Sequence, residues 1–203
     1  MVKQAELPRH IVATALDLAA TQGWRDTTLA DIAAAAKLSL ADVHAHYASK
    51  AAILAAFSQQ IDAEVLARED AELADQPARD RLFDVMMRRF DALAPHKEAV
   101  RAIVRDSLGD PAAALLGACT LAASMAWMLE AARLGASGLR GVLRIKGLAV
   151  VYVSVLRVWL DDDSEDMART MAALDRRLHQ AEGLVMLCRR PRRRGARPDA
   201  EPA

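Results

Sequence analysis

Residues 27–54 read TTLADIAAAAKLSLADVHAHYASKAAIL. Thr28 can cap a helix, with Asp31 three residues later completing a Thr-x-x-Asp capping box. Leu29, Ile32, Ala33 and Ala36 then fall on one face at helical spacing. Ser39 repeats the start signal with Asp42 three residues on, and Val43, Ala45 and Tyr47 carry a second helix. Ser49 before Lys50 opens a third helix, whose Ile53, Leu54 and Phe57 are apolar. Two helices of about two turns each, joined by a few residues, are the plan of a helix-turn-helix, in which the second helix enters the DNA major groove.

The flanking sequence continues in helices. Pro8 suits the first turn of a helix whose stripe is Ile11, Val12, Ala15, Leu16 and Ala19, and Gly23 can end it. Trp24 is expected to pack across the resulting three-helix head. Lys50 opens a longer helix expected to reach Ala71 or Leu73. Pro77 and Pro95 bracket an amphipathic helix over 78–93, and a short helix over 97–107 ends at Gly109. Asp110-Pro111 is a cap followed by a residue favoured at the first helical position. From Pro111 to Leu134 the chain is nearly all apolar, which predicts a helix inside a bundle. A further long helix over 139–160 stops at Asp161-Asp162-Asp163-Ser164, a cluster of cap residues before the last helix. There Met167, Met171, Leu174, Leu178, Ala181 and Val185 recur at spacings of 4, 3, 4, 3 and 4, a helix-packing seam.

Composition agrees with an all-α fold. Aromatics are only 4% of 203 residues, so Ala, Leu, Val, Ile and Met must build the core, which favours helices over sheets. No signal-peptide core opens the chain, and no run of eighteen uninterrupted apolar residues suggests a membrane span. Cys119 and Cys188, far apart in apolar helical text, read most simply as two free thiols of a cytoplasmic protein. The 27 basic and 27 acidic residues cancel, but six arginines lie in the last fifteen residues. That leaves residues 1–188 mildly acidic, followed by a basic tail over 189–203 without apolar periodicity, expected to be disordered. The tail's arginines, Arg189 to Arg194, suit phosphates of nucleic acid or lipid, or simply a solvated tail. Residues 1–55 hold five basic and five acidic side chains, whereas DNA-binding modules are usually basic.

No Gly-rich phosphate loop, cysteine pair at metal spacing or Ser/His/Asp pattern is present, so no enzyme, cofactor or metal is expected. His44 and His46 are two residues apart and would face different sides of a helix, which disfavours a shared metal ion. Direct base readout usually uses Arg, Lys, Asn or Gln, and none lies between Leu38 and Ser49. If the second helix does meet DNA, Ser39, Leu40, Ala41, His44 and Tyr47 would face the groove or its phosphate walls, with Lys50 on a phosphate. The Met-rich middle, with Met86, Met87, Phe90, Met125, Trp127 and Met128, fits either an apolar ligand cavity or plain core packing. Arg101 and Arg105 read as solvated surface.

Several of these residues carry a family resemblance. Gly23 followed by an aromatic, Thr27-Thr28, Asp31-Ile32-Ala33, Ala36-x-Leu38-Ser39, Val43, Tyr47, and Ser49-Lys50 before Ile53-Leu54 resemble the DNA-binding region of the TetR family of bacterial regulators. Lys37 stands where that family usually has a turn glycine, and His44 and Ala45 where an aromatic and a polar residue are usual. The resemblance implies a head (1–50) that binds duplex DNA through Thr28, Ser39, Leu40, Ala41, His44, Tyr47 and Lys50. It also implies a helical ligand-binding and dimerisation body (51–188), in which a small apolar ligand would meet Met86, Phe90, Met125, Trp127 and Met128. The function implied is a ligand-responsive transcriptional regulator, a repressor. A second resemblance lies in VLRVWLDDDSEDMARTMAALDRRL (155–178), which is similar to the lipid-binding accessory protein of ubiquinone biosynthesis. That family has a TetR-like fold without DNA binding, so the second function implied is lipid binding. The last two helices look too apolar for one bundle alone. A homodimer is therefore expected through 139–160 and 166–187, with Val153, Leu156, Met171, Leu174 and Leu178 at the interface.

Overall fold

Pro8 sits in the first turn of α1 (Leu7–Gln22), where its missing N–H costs no hydrogen bond. The computed structural model describes residues 6–68, 75–107 and 109–188, and of 183–188 the backbone alone. Ile11, Val12, Ala15, Leu16 and Ala19 are buried, as their spacing predicts. Gly23 ends α1 at φ +91°, its N–H bonded to the Ala19 carbonyl at 3.1 Å. Two short helices follow, α2 (Leu29–Ala35) and α3 (Leu40–His46), and then α4 (Lys50–Leu66) runs from the head into the body. Ser49 Oγ caps α4 by accepting from the Ala52 N–H at 3.2 Å. The helix ends at Leu66, short of the expected 71–73. Just past that end, Arg88 Nη1 of the following helix donates to the Arg68 carbonyl at 2.6 Å.

The body continues through α5 (Ala78–Leu93), a short 3-10 turn (Ala94–His96), α6 (Lys97–Ser107), α7 (Pro111–Ala131), α8 (Gly138–Leu160) and α9 (Ala168–Cys188). The described residues form an all-α fold with no strand. α1 packs on α6, α4 on α5 and α7, and α8 on α7 and α9. One core runs through head and body, from Ile11 to Leu178. Asp110 caps α7 as expected, accepting from the Ala112 and Ala113 N–H groups.

α7 corrects an expectation. Its apolar text predicted a helix inside the bundle, yet only Ser124, Met125, Met128 and Leu129 are buried. Leu115 is 65% exposed and Leu116 53%. Only the C-terminal part of α7 contributes buried residues to the core, while the half from Pro111 is exposed or half-buried. By length and composition alone α7 could cross a membrane, but its buried Met125, Met128 and Leu129 are packed into the same core as the head. The basic tail, 189–203, lies outside the described residues.

The acidic cluster before α9 is a cap with a buried centre. Asp162 Oδ2 accepts from the Thr170 N–H and hydroxyl at 2.8 and 2.7 Å, and its Oδ1 from Ser164 Oγ at 2.6 Å and Ser164 N–H at 3.3 Å. Burial alone would raise this carboxyl, but the hydrogen bonds together outweigh it and hold Asp162 well below its ordinary 3.8. A depressed folded-state value means the unfolded chain binds the proton more readily, so the stabilisation is full above about pH 5 and fades as pH falls through 3.8 and below. Urea denaturation over a pH series should show this acid limb, and Asp162→Asn should flatten it.

Candidate nucleic-acid interface

Both capping boxes form. Thr28 Oγ1 accepts from the Asp31 N–H at 3.1 Å while Asp31 Oδ2 accepts from the Thr28 N–H at 2.8 Å. Ser39 and Asp42 repeat the arrangement at 3.1 and 2.9 Å. The hydroxyl of Thr28, then its N–H, holds Asp31 below the usual carboxylate range, and Ser39 does the same for Asp42. Both carboxylates are thus committed to satisfying helix N-termini. Ile32, Ala33 and Val43 turn inward and fix α2 against α3. His10 Nε2 meets the Ala36 carbonyl at 3.2 Å, tying α1 to the end of α2.

The outward face of α3 carries Leu40, Ala41, His44, Ala45 and His46, all exposed. Thr28 and Ser39 are exposed at the helix starts, where backbone N–H groups favour anions. Two expected DNA contacts are elsewhere. Tyr47 is buried and its hydroxyl donates to the Pro8 carbonyl at 3.1 Å, while burial pushes the phenol up. Its ring therefore locks α3 onto α1. Lys50 turns inward as well: Nζ donates to the Trp24 carbonyl at 2.5 Å and lies 4.6 Å from the Trp24 ring centre. Burial lowers its pKa, against the opposing pull of Asp106, Asp26 and Asp31. From the far side Asp106 Oδ2 accepts from the Arg25 N–H at 2.9 Å. The loop between α1 and α2 is so held between the start of α4 and the end of α6.

Lys37 is a basic residue of the turn that the sequence reading left out of the interface. It is exposed, at φ +58°. The Leu38 N–H bonds to the Ala33 carbonyl at 2.9 Å and the Lys37 N–H to the Ala34 carbonyl at 3.1 Å, a helix end that favours glycine. The missing turn glycine was the available signal, since it marks the position the chain must bend through. Lys37→Gly should raise stability by about 0.5–1 kcal/mol by removing left-handed strain. If Lys37 meets a phosphate, the same change should lower the salt slope of DNA binding by about 0.9. Denaturation and salt-titrated DNA binding of one variant read both effects.

The body residues separate in the same way. Met86, Phe90, Met125 and Met128 are fully buried, whereas Trp127 is 56% exposed and so lines no internal site. Phe90 stacks on Tyr152 at 5.6 Å and lies 5.8 Å from Trp159. A cleft of about 270 Å³ lies between α1 and α6, along Gln22, Glu98, Arg101 and Arg105. Arg101 bonds Glu98 and the Leu160 carbonyl, and Arg105 bonds Asp106 at 3.1 Å. Of the expected interface residues, Leu156, Leu174 and Leu178 are buried within the single chain and Met171 is half-buried. α9 turns Leu174 and Leu178 onto the chain's own helices, so they are not available to a partner. Val153 is exposed, as are Leu139, Val142, Leu143 and Val150 on the same outward stripe of α8.

Residues 11–57 match the model of the bacterial regulatory proteins of the tetR family, and residues 145–184 match the COQ9 model. No curated protein matches the chain. Among solved structures, a TetR transcriptional regulator from Nitrosomonas europaea is 26% identical, at a TM-score of 0.71 over 87% of this chain and 98% of its own. A TetR regulator from Rhodococcus sp. RHA1 is 14% identical, at 0.66 over 89% and 97%. The fold is also that of Thermus thermophilus FadR, a TetR-family repressor solved with lauroyl-CoA, 19% identical at 0.52 over 95% and 100%. The head is thus a TetR-type helix-turn-helix, and the TetR-like fold continues through the body.

Proposed function

We propose that the chain is a TetR-type transcriptional regulator that binds duplex DNA as a homodimer and answers to a small, mainly apolar molecule taken up by the body. The observation that carries this reading is the α2–α3 pair: an intact capping box starts each helix, and the outward face of α3 is left free. Phosphates would meet the N-termini of α2 and α3 near Thr28 and Ser39, together with Lys37. His44, Leu40 and Ala41 would meet base edges or the groove wall. Ligand control requires the ligand to bind the non-DNA conformation more tightly. A route for that control is available, because α4 begins at Lys50 under the head and passes into the body core.

Binding of the full chain to its own upstream DNA, followed by fluorescence anisotropy and titrated with salt, tests the reading. The expected result is a dissociation constant that rises steeply with salt and a weaker one for His44→Ala. No salt-dependent binding at micromolar protein overturns it. A second reading, a lipid-binding accessory protein of ubiquinone biosynthesis, is supported by the match over 145–184 and by the electroneutral head. Absent DNA binding together with a lipid adduct in native mass spectrometry would select it.

A further inference from the structure

Arg89 of α5 is 3% exposed, in the middle of the body core. Its Nη1 donates to Asp62 Oδ1 on α4, and its Nη2 lies 3.4 Å from Ser58 Oγ on the same helix. Ser124 of α7 donates to the same Asp62 oxygen at 2.6 Å. Tyr152 of α8 covers the guanidinium, its ring centre 5.5 Å away. Four helices therefore meet at one buried charge pair, yet Arg89 Nε is buried without a hydrogen-bond partner. Buried ion pairs are seldom worth more than apolar packing, and an unpaired buried donor is a further cost. The surroundings are apolar and adaptable: Met86 lies one turn before Arg89, and Met128 one turn after Ser124, both fully buried.

We infer that Arg89 Nε is the anchor for a neutral carbonyl oxygen carried by a compact aromatic or otherwise apolar molecule. Charge selects the class. Arg89 and Asp62 already cancel, so a carboxylate would bring an unbalanced charge into the core, whereas a ketone, ester or quinone oxygen accepts from Nε–H and adds none. The molecule's body would lie against Phe90 and Tyr152 and displace methionine side chains, which rearrange at low cost. The inference names the ligand class of the proposed regulator and rests on that reading for its consequence, since a shift of Asp62 and Ser58 would move α4, the helix that starts beneath the head.

The test uses the full-length protein and three probes of one size: acetophenone, ethylbenzene and benzoate. Calorimetric titration should show acetophenone binding about tenfold more tightly than ethylbenzene, with benzoate no tighter than ethylbenzene. Asp62→Leu combined with Arg89→Met removes both charges and should erase the preference while ethylbenzene still binds; circular dichroism verifies its fold. Equal affinities, no binding of any probe, benzoate binding tightest, or a preference that survives the double variant each overturn the inference. DNA binding is measured in parallel on the unaltered protein. Binding to DNA without a ketone preference sinks this inference alone, and a ketone preference without DNA binding sinks the regulator reading alone.

Discussion

Arg89→Met is expected to cost about 3–5 kcal/mol, because it leaves the Asp62 carboxylate buried beside apolar side chains with only Ser124 to bond it. Domains of this size have about 5–15 kcal/mol in total, so the variant should be close to unfolding at ordinary temperature. Asp62→Leu combined with Arg89→Met should recover most of the loss, since desolvation of both ions then disappears and Ser124 can turn its hydroxyl to its own helix. Urea denaturation of the three proteins checks this. A single variant within about 1 kcal/mol of the unaltered protein would mean that water reaches Asp62 and that the pair is not desolvated as its burial implies.

The second large effect concerns assembly. Leu143 is 64% exposed and Val150 71%, two turns apart on the outward stripe of α8. The double change Leu143→Glu, Val150→Glu should leave the fold intact, because neither side chain contributes to the core. It should convert a dimer to monomers, as glutamates brought together at a two-fold interface repel and lose water. Paired half-sites lie about 34 Å apart, and losing the second head should weaken DNA binding by about a hundredfold or more. Light scattering and anisotropy measure the two outcomes. Monomeric unaltered protein at tens of micromolar, or a double variant that stays dimeric, excludes this face. Leu174→Glu or Leu178→Glu would be a poor test, because burying a carboxylate in the monomer core unfolds the chain whatever its assembly.

Much of the architecture was legible in local chemistry. Thr28 with Asp31 and Ser39 with Asp42 announce two helix starts because a hydroxyl and a carboxylate three residues apart satisfy N–H groups that a helix leaves unpaired. Pro8, Pro111 and Gly23 punctuate helices through φ restrictions that act within a few residues. The α5 stripe of Leu82, Val85, Met86, Arg89 and Phe90 is buried from Val85 on, with Leu82 half-buried at its start. Each of these signals is complete within about one or two turns of chain.

The site was less legible, because it depends on what each face meets. Periodicity says that α3 has an inner side, but only the packing of α1 decides that Tyr47 belongs to it and donates to Pro8. Lys50 reads as a phosphate ligand until the Trp24 carbonyl, 26 residues away in sequence, is found under its ammonium. The apolar text of α7 is compatible with any cover, and the crossing of α7 with α4 and α8 buries Ser124 while leaving Leu115 and Trp127 to solvent. The sequence by itself determined where the capped helices begin and that they have apolar sides, since capping and periodicity are short-range, but it placed the end of α4 beyond Leu66. The tertiary structure decided which side chains remain free to act, because burial and pairing depend on residues far apart in the chain.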